Sequence, residues 1–177
     1  MMTISMYETS IPVFVRVLRN MSDVLAKGAA DAANRKIDES VFVNARLAPD
    51  MFALARQVQI ATDIVKGGAA RLAGAEVPRW EDNEATFAEL QARIAKAVDF
   101  VQGFGAAQID GSEERDITFR LAGRDAHFKG LRYLLDFVLP NLYFHATTTY
   151  AILRHNGVEV GKMDFLGAAA LGDAPRD

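Results

Sequence analysis

The chain has 177 residues, half of them apolar and about a quarter charged, with a net charge of −3 and no cysteine. That length and balance describe one folded domain with a single substantial core and leave no room for a disordered chain. The absence of a Lys/Arg run argues against nucleic acid or an anionic membrane as partner, and the missing cysteines remove disulfides, thiolate metal sites and a cysteine nucleophile together.

At the N-terminus, MMTISMYETSIPVF has no basic segment followed by an apolar run and a cleavage site, and no apolar stretch reaches the ~20 residues of a membrane span. A cytoplasmic protein is the expectation. Ile4, Tyr7, Ile11, Phe14, Leu18, Met21 and Leu25 recur three and four apart, which predicts a first amphipathic helix over about 3–27. Pro12 would then lie inside it, removing a hydrogen bond at ~3 kcal/mol and bending the helix. Gly28 reads as its stop, and Asp38 as the cap of a short turn carrying Val41, Phe42 and Val43. Leu47, Met51, Leu54, Val58, Ala61 and Val65 continue the rhythm in a second helix, with Pro49 in the first turn and an end near Gly67-Gly68 or Leu72. AGAEVPRWEDNE is a loop whose Trp80 lids the core edge rather than stacking on a ligand.

Phe87, Leu90, Ile94, Ala97, Val101 and Phe104 mark a third helix over about 83–104, supported by an exposed Glu89–Arg93 pair and ended by Gly103 and Gly105. The period then changes. Ile117, Phe119 and Leu121 alternate with polar residues, as do Ala126 and Phe128, predicting a hairpin that turns over residues 122–125. The fourth helix, over 130–156, is the longest pattern in the chain: Leu131, Leu135, Val138, Leu142, His145, Thr149 and Ile152 form one stripe. His155 in its last turn and Gly157 beyond it form a C-terminal signal. An extended end follows, packing through Phe165 and Leu166. The expected organisation is one domain over 1–167 with a flexible tail over 168–177. The fold class is all-α: an antiparallel four-helix bundle with a small β-hairpin before the last helix. The second and third connections, of about twelve and about twenty-five residues, are too long for simple up-down turns, so at least one crossover connection is expected.

Chemistry can come from few places. His127, His145 and His155 are the histidines; none forms His-x-x-x-His and none has a Glu three residues before it, so the paired Glu-x-x-His pattern of di-iron bundles is absent. His127 and His155 read as surface residues. His145 lies on the inward stripe, with Asn141 one turn before it, Thr149 one turn after and Tyr150 nearby, while Pro140 frees the Asp136 carbonyl and bends the helix where this polar cluster begins. On the second helix, Gln57 flanks the apolar stripe, whereas Arg56, Gln59 and Asp63 share a separate face that reads as solvated or as a subunit contact. Such a cluster is either a pocket or a satisfied internal network. The usual motifs fail: GVEVGK is one residue short of a phosphate loop and follows a helix, Gly111-Ser112 is no nucleophile elbow, and Gly103-Phe104-Gly105 is not continued into a dinucleotide fingerprint.

MYETSIPVFVRVLRNMSDVLAKG, NARLAPDMFALARQVQIATD and PNLYFHATTTYAILRHNGVEVGKMDFLG together resemble a bacterial family of uncharacterised function within the DinB-like superfamily, over nearly the whole chain. The resemblance implies a DinB-like bundle with a crossover connection, and a homodimer. Many DinB-like proteins hold a divalent metal through one histidine on the second helix and a His-x-x-x-His pair on the last, and use it in thiol-dependent transfer and isomerisation. Registered on LRHNGV, His145 matches the last of those histidines, Asn141 stands at the preceding one, and Gln57 or Gln59 stands at the second-helix position. Neutral amides are weak ligands for Zn²⁺ or Ni²⁺, so the inherited site is degenerate.

The leading reading is a homodimeric protein that binds a small molecule around His145, Asn141, Gln57, Gln59 and Thr149, without a resident cofactor. One alternative is an enzyme of the transferase or hydrolase kind, with His145 as acid–base or sole imidazole ligand to Zn²⁺, Ni²⁺ or Mn²⁺ and Tyr150 assisting. The other is a non-catalytic homodimer whose polar cluster is only an internal network.

Overall fold

The structure, a computed structural model, describes residues 4–121, 123–168 and 172. Helix α1 (Ile11–Arg35) starts later than its periodicity suggests, because a separate turn precedes it: Thr9 N–H bonds the Ser5 carbonyl and Ile11 N–H the Tyr7 carbonyl. Ile4 is exposed. Pro12 therefore falls in the first turn, where its missing N–H has no partner to lose, and the cause of the predicted bend is removed. The helix also runs through Gly28 and ends on Lys36, whose left-handed backbone (φ 56°) returns its N–H to the Ala32 and Ala33 carbonyls. Gly28 is a packing residue, not a stop: a Cβ there would lie 3.0 Å from Leu153 Cδ2 and 3.1 Å from the Phe87 ring.

Helix α2 (Glu39–Val43) is capped by the Asp38 carboxylate, which accepts from Ser40 N–H, as expected. Helix α3 (Leu54–Ala73) begins at Leu54, not near Leu47. Residues 45–53 are irregular, consistent with the bias of the residue before Pro49 away from helix. It continues through Gly67-Gly68 and closes on Gly74 at φ +69°. Helix α4 (Phe87–Gln102) starts on a capping box in which Thr86 Oγ1 accepts from Glu89 N–H and the Glu89 carboxylate accepts from Thr86 N–H. That occupies Glu89, so the predicted Glu89–Arg93 pair does not form, and Arg93 turns inward. A short α5 (Ala106–Ile109) leads to strands β1 (Asp116–Leu121) and β2 (Arg124–Lys129). They pair antiparallel with Ile117 opposite Phe128 and Leu121 opposite Arg124, so Arg124 and Asp125 belong to β2 rather than to the predicted turn, and Gly123 sits at φ +81°.

The last long helix is continuous but not uniform: α6 (Gly130–Arg132), a π-helical segment (Tyr133–Val138) and α7 (Leu139–His155). The π turn widens the helix and shifts its face by one residue. Leu131 and Leu135, assigned inward by sequence, are exposed. Gly130, Tyr133 and Leu134 are buried in their place, and the predicted stripe holds from Val138 through Leu142, His145, Thr149 and Ile152. The segment after it is not extended throughout: α8 (Lys162–Leu166) lies on α1, where Lys27 pairs with Asp164 at 2.7 Å and Asn20 Nδ2 donates to the Phe165 and Leu166 carbonyls. Apart from residues 168 and 172, the tail expected over 168–177 lies outside the described residues.

Four helices surround the core: α1 packs on α4 and α7, and α3 packs on α4 and α7. Gly28 near the end of α1 meets Phe87 at the start of α4 and Leu153 near the end of α7, while Gly68 late in α3 meets Phe14 and Val138. Hence α1 runs antiparallel to α4, and α3 antiparallel to α7. The consecutive helices α3 and α4 run the same way. Residues 75–86 must therefore travel back along the bundle, and they are the expected crossover.

Candidate functional site

His145 lies on the buried stripe of α7 with Leu142, Thr149 and Ile152, at regular helical spacing, and it is 7% exposed. Its Nδ1 lies 2.7 Å from Gln57 Oε1. The tautomer follows from the next bond: Gln57 Nε2 donates to the Phe52 carbonyl at 3.0 Å, so the amide oxygen must face the ring and Nδ1 carries the proton. The irregular segment before α3 thus fixes Gln57, and Gln57 fixes the imidazole. The Phe144 ring stands edge-on to it at 5.2 Å. Burial pushes the His145 pKa down from 6.5 to about 4, and the positive charge of Arg56 acts in the same direction. The ring is neutral at pH 7. Among the described residues no group bonds Nε2, which keeps its lone pair.

The neighbouring predicted residues divide. Asn141 Nδ2 donates to the Phe137 carbonyl at 2.6 Å, stitching the backbone where the π segment and Pro140 interrupt regular bonding. Thr149 Oγ1 donates to the His145 carbonyl at 2.9 Å. Its neighbour Tyr150 directs its hydroxyl at the Val160 carbonyl, 3.4 Å away, and packs on Phe165. Thr149 and Tyr150 line a cavity of about 100 Å³ between α1, α7 and α8, and His145 is not on its wall. His127, exposed on β2 with Nδ1 3.1 Å from Thr118 Oγ1, and His155, exposed at the end of α7, stay on the surface as expected.

Sequence left open which glutamine faces His145; it is Gln57. Gln59 is buried on the other side, where its Nε2 donates to Glu84 at 3.0 Å and its Oε1 accepts from Arg56 at 3.3 Å. The face of Arg56, Gln59 and Asp63 is covered by the crossover segment of its own chain. At the centre of that contact is Arg93, a residue the sequence reading placed on the surface. Its guanidinium pairs with Asp82 and Glu84 at 2.9 Å and with Asp63 at 3.2 Å, and bonds the Glu81 carbonyl and Thr62 Oγ1. Arg56 pairs with Asp82, and Lys66 with Asp63 at 2.6 Å. Trp80 lids the cluster, with Lys66 and Lys96 at 4.3 and 4.6 Å from its ring centre. The signal available in sequence was Thr86-x-x-Glu89: a capping box already engages the glutamate that would otherwise hold Arg93 outside.

These donors are largely engaged with one another. The acidic groups by Arg93 are each matched by a cation, and among the described residues no group of three or more His, Cys, Asp or Glu converges on one point. At His145, the Gln57 oxygen faces Nδ1 rather than a shared ligand position, and the Asn141 amide nitrogen is bonded to backbone. Nε2 is the one strong donor left, so the residues do not fit the chelate that the resemblance implies.

Residues 6–166 match the family described as domain of unknown function (DUF1993). The crystal structure of a DinB family member protein from Shewanella denitrificans is similar at 40% identity and a TM-score of 0.83, over 97% of this chain and 94% of that one. No curated protein matches. No helix among the described residues is long and apolar enough to cross a membrane.

Proposed function

The chain belongs to the DUF1993 family of DinB-like helical bundles, and from that premise we propose that it binds a small polar molecule at His145, beside Gln57 and Asn141, without a tightly held divalent metal. One observation carries this reading: the bond from His145 Nδ1 to Gln57, itself anchored on Phe52, which presents Nε2 as a fixed neutral acceptor. A ligand would offer that nitrogen an O–H or N–H donor. With a pKa of about 4, His145 is a poor general base at neutral pH, which favours binding over acid–base catalysis. Phe52 and Phe144, both more than half exposed beside this site, supply an apolar surface that a second copy would cover in the proposed homodimer, which sedimentation equilibrium tests. A cytoplasmic location belongs to the same reading.

Native mass spectrometry of untagged protein, with metal content measured in parallel, tests the function. Retention of a small molecule by the wild-type protein and its loss in a folded His145→Ala variant is the expected result. A ligand held equally by both proteins would sink the proposal.

Metal affinity gives a second expectation. One equivalent of Zn²⁺ stays removable by a weak chelator, whereas Gln57→His with Asn141→His, which supplies the two missing imidazoles, gains tight Zn²⁺ binding read by calorimetry. Tight binding by the unaltered chain would mean that Gln57 and Asn141 leave their present hydrogen bonds to chelate the metal, against the proposal.

Titration follows from the same site. The His145 ring nitrogens in ¹⁵N spectra should report a midpoint near pH 4. Because the folded pKa lies below the unfolded one, the unfolded chain binds more protons between these values, and stability falls as pH drops from about 6.5 to about 4. The loss from this group is at most about 3 kcal/mol. A midpoint above 6 would show that the ring is not held as described.

A further inference from the structure

A second groove, separate from His145, lies between α3, β1 and the π-helical segment. It encloses about 240 Å³, with Arg71 and Arg56 on its walls and the rings of Phe119 and Phe137 in its lining. Arg71 is positioned from three sides. Its guanidinium lies over the Phe119 ring at 4.5 Å, and its Nη1 donates to the Tyr133 hydroxyl at 2.9 Å. It also rests against the backbone of Gly67, where a Cβ would overlap Nη1. This gives the helix-interior glycine a role: it opens a trough along α3 in which the guanidinium lies flat.

Arg71 differs from the other half-buried and buried cations of the bundle. Arg56, Lys66 and Arg93 each pair with a carboxylate, and among the described residues Arg71 pairs with none. Asp63, which also lines the groove, is taken by Lys66 and Arg93. A held guanidinium without a counterion keeps N–H donors available to an anion, and a partly desolvated site strengthens that attraction. The phenyl rings of Phe119 and Phe137, 5.1 Å apart between centres and tilted by 58°, form an apolar wall that an aromatic ring can meet by its face on one and its edge on the other. We propose that this groove is a binding site for a small planar aromatic carboxylate, whose carboxylate takes the Arg71 fork and whose ring lies on Phe119 and Phe137. The volume accommodates a single ring with its carboxylate. The site does not depend on the His145 reading, since neither His145 nor Gln57 lines it.

The test is a ¹H–¹⁵N titration of the full chain with sodium benzoate at constant ionic strength, with benzyl alcohol and phenyl phosphate as comparisons. Saturable shifts at the Arg71 Nε–H and at the amides of 118–120 and 133–137 are expected, with benzyl alcohol at least tenfold weaker. Arg71→Gln should weaken benzoate at least tenfold, and His145→Ala should leave it unchanged. Absence of saturation, equal binding by a folded Arg71→Gln variant, or equal binding of benzyl alcohol would overturn the site. Tighter binding of phenyl phosphate would overturn the carboxylate assignment. Should Arg71→Gln fail to fold, Arg71→Lys decides, because it keeps the charge and loses the planar fork: binding at least threefold weaker supports the site, and unchanged binding overturns it.

Discussion

Replacing Arg93 by alanine is expected to lower the unfolding free energy by about 3–5 kcal/mol, the range for breaking a buried ion pair by removing one partner. The side chain is 2% exposed and is shared by Asp63, Asp82 and Glu84, with Thr62 and the Glu81 carbonyl completing its bonds. Without it, Lys66 and Arg56 remain as the paired cations of the cluster, and the Glu84 carboxylate, with 11% side-chain exposure, loses its ion pair. The damage should be greatest in the crossover, because the carboxylates that Arg93 gathers come from residues 82 and 84 of that segment. Urea unfolding at pH 7 measures the loss, and limited proteolysis should find residues 79–86 newly cleavable. A loss below about 1 kcal/mol, the range of a surface pair, would mean that the cluster is solvated and that other contacts hold the crossover down.

Gly130→Ala should be nearly as damaging, by about 3 kcal/mol, the upper part of the range for overpacking. A Cβ at this position would overlap the Ser112 carbonyl oxygen, and the obstacle is backbone, with no flexible side chain to yield. The two segments are joined there: Leu131 N–H bonds the Glu113 carbonyl, and Arg115 N–H bonds the same Ser112 carbonyl that the methyl would displace. Ser112 is itself fully buried, so its carbonyl cannot yield by moving into solvent. The hairpin should lift from the helix, so ring-current shifts within the Phe119, Phe128, Tyr133 and Phe137 cluster collapse while the helical circular dichroism is retained. Gly105→Ala is the matched control, since nothing among the described residues lies within 4 Å of its added methyl, and it should change stability by less than about 0.5 kcal/mol. Equal effects from the two substitutions would remove steric contact as the cause.

Much of the bundle was legible because helical periodicity is local. Phe14, Leu18, Met21 and Leu25 on α1, Leu54, Val58, Ala61 and Val65 on α3, Leu90, Ile94, Ala97 and Val101 on α4, and Leu142, His145, Thr149 and Ile152 on α7 are all buried, as their spacing requires. The change to alternation at Ile117 and Phe119 located the hairpin, and the segments around LRHNGV carried the family resemblance. Each of the first three long helices starts later than the sequence predicts, at Ile11, Leu54 and Phe87. A lone turn before Ile11 and the loop before Leu54 carry apolar residues at helical spacing without being helix, and the capping box at Thr86 sets a start that apolar spacing alone does not show.

His145 could be placed inside from sequence, but its partner could not. Gln57 and Gln59 are two residues apart on α3, and only the packing of α7 and the Phe52 carbonyl decide that Gln57 meets the imidazole while Gln59 meets Glu84. The outward displacement of Leu131 and Leu135 follows from a π turn that regular spacing cannot represent. Arg93 and the face of Arg56 and Asp63 are polar in sequence and covered in structure, because a segment connecting two parallel helices has to lie along the bundle and bring its own carboxylates to them. Periodicity within a helix reports which residues share a face, and by itself this chain determined that much. What covers each face depends on segments distant in sequence, so the ion cluster under the crossover and the Arg71 groove were decided by tertiary structure alone.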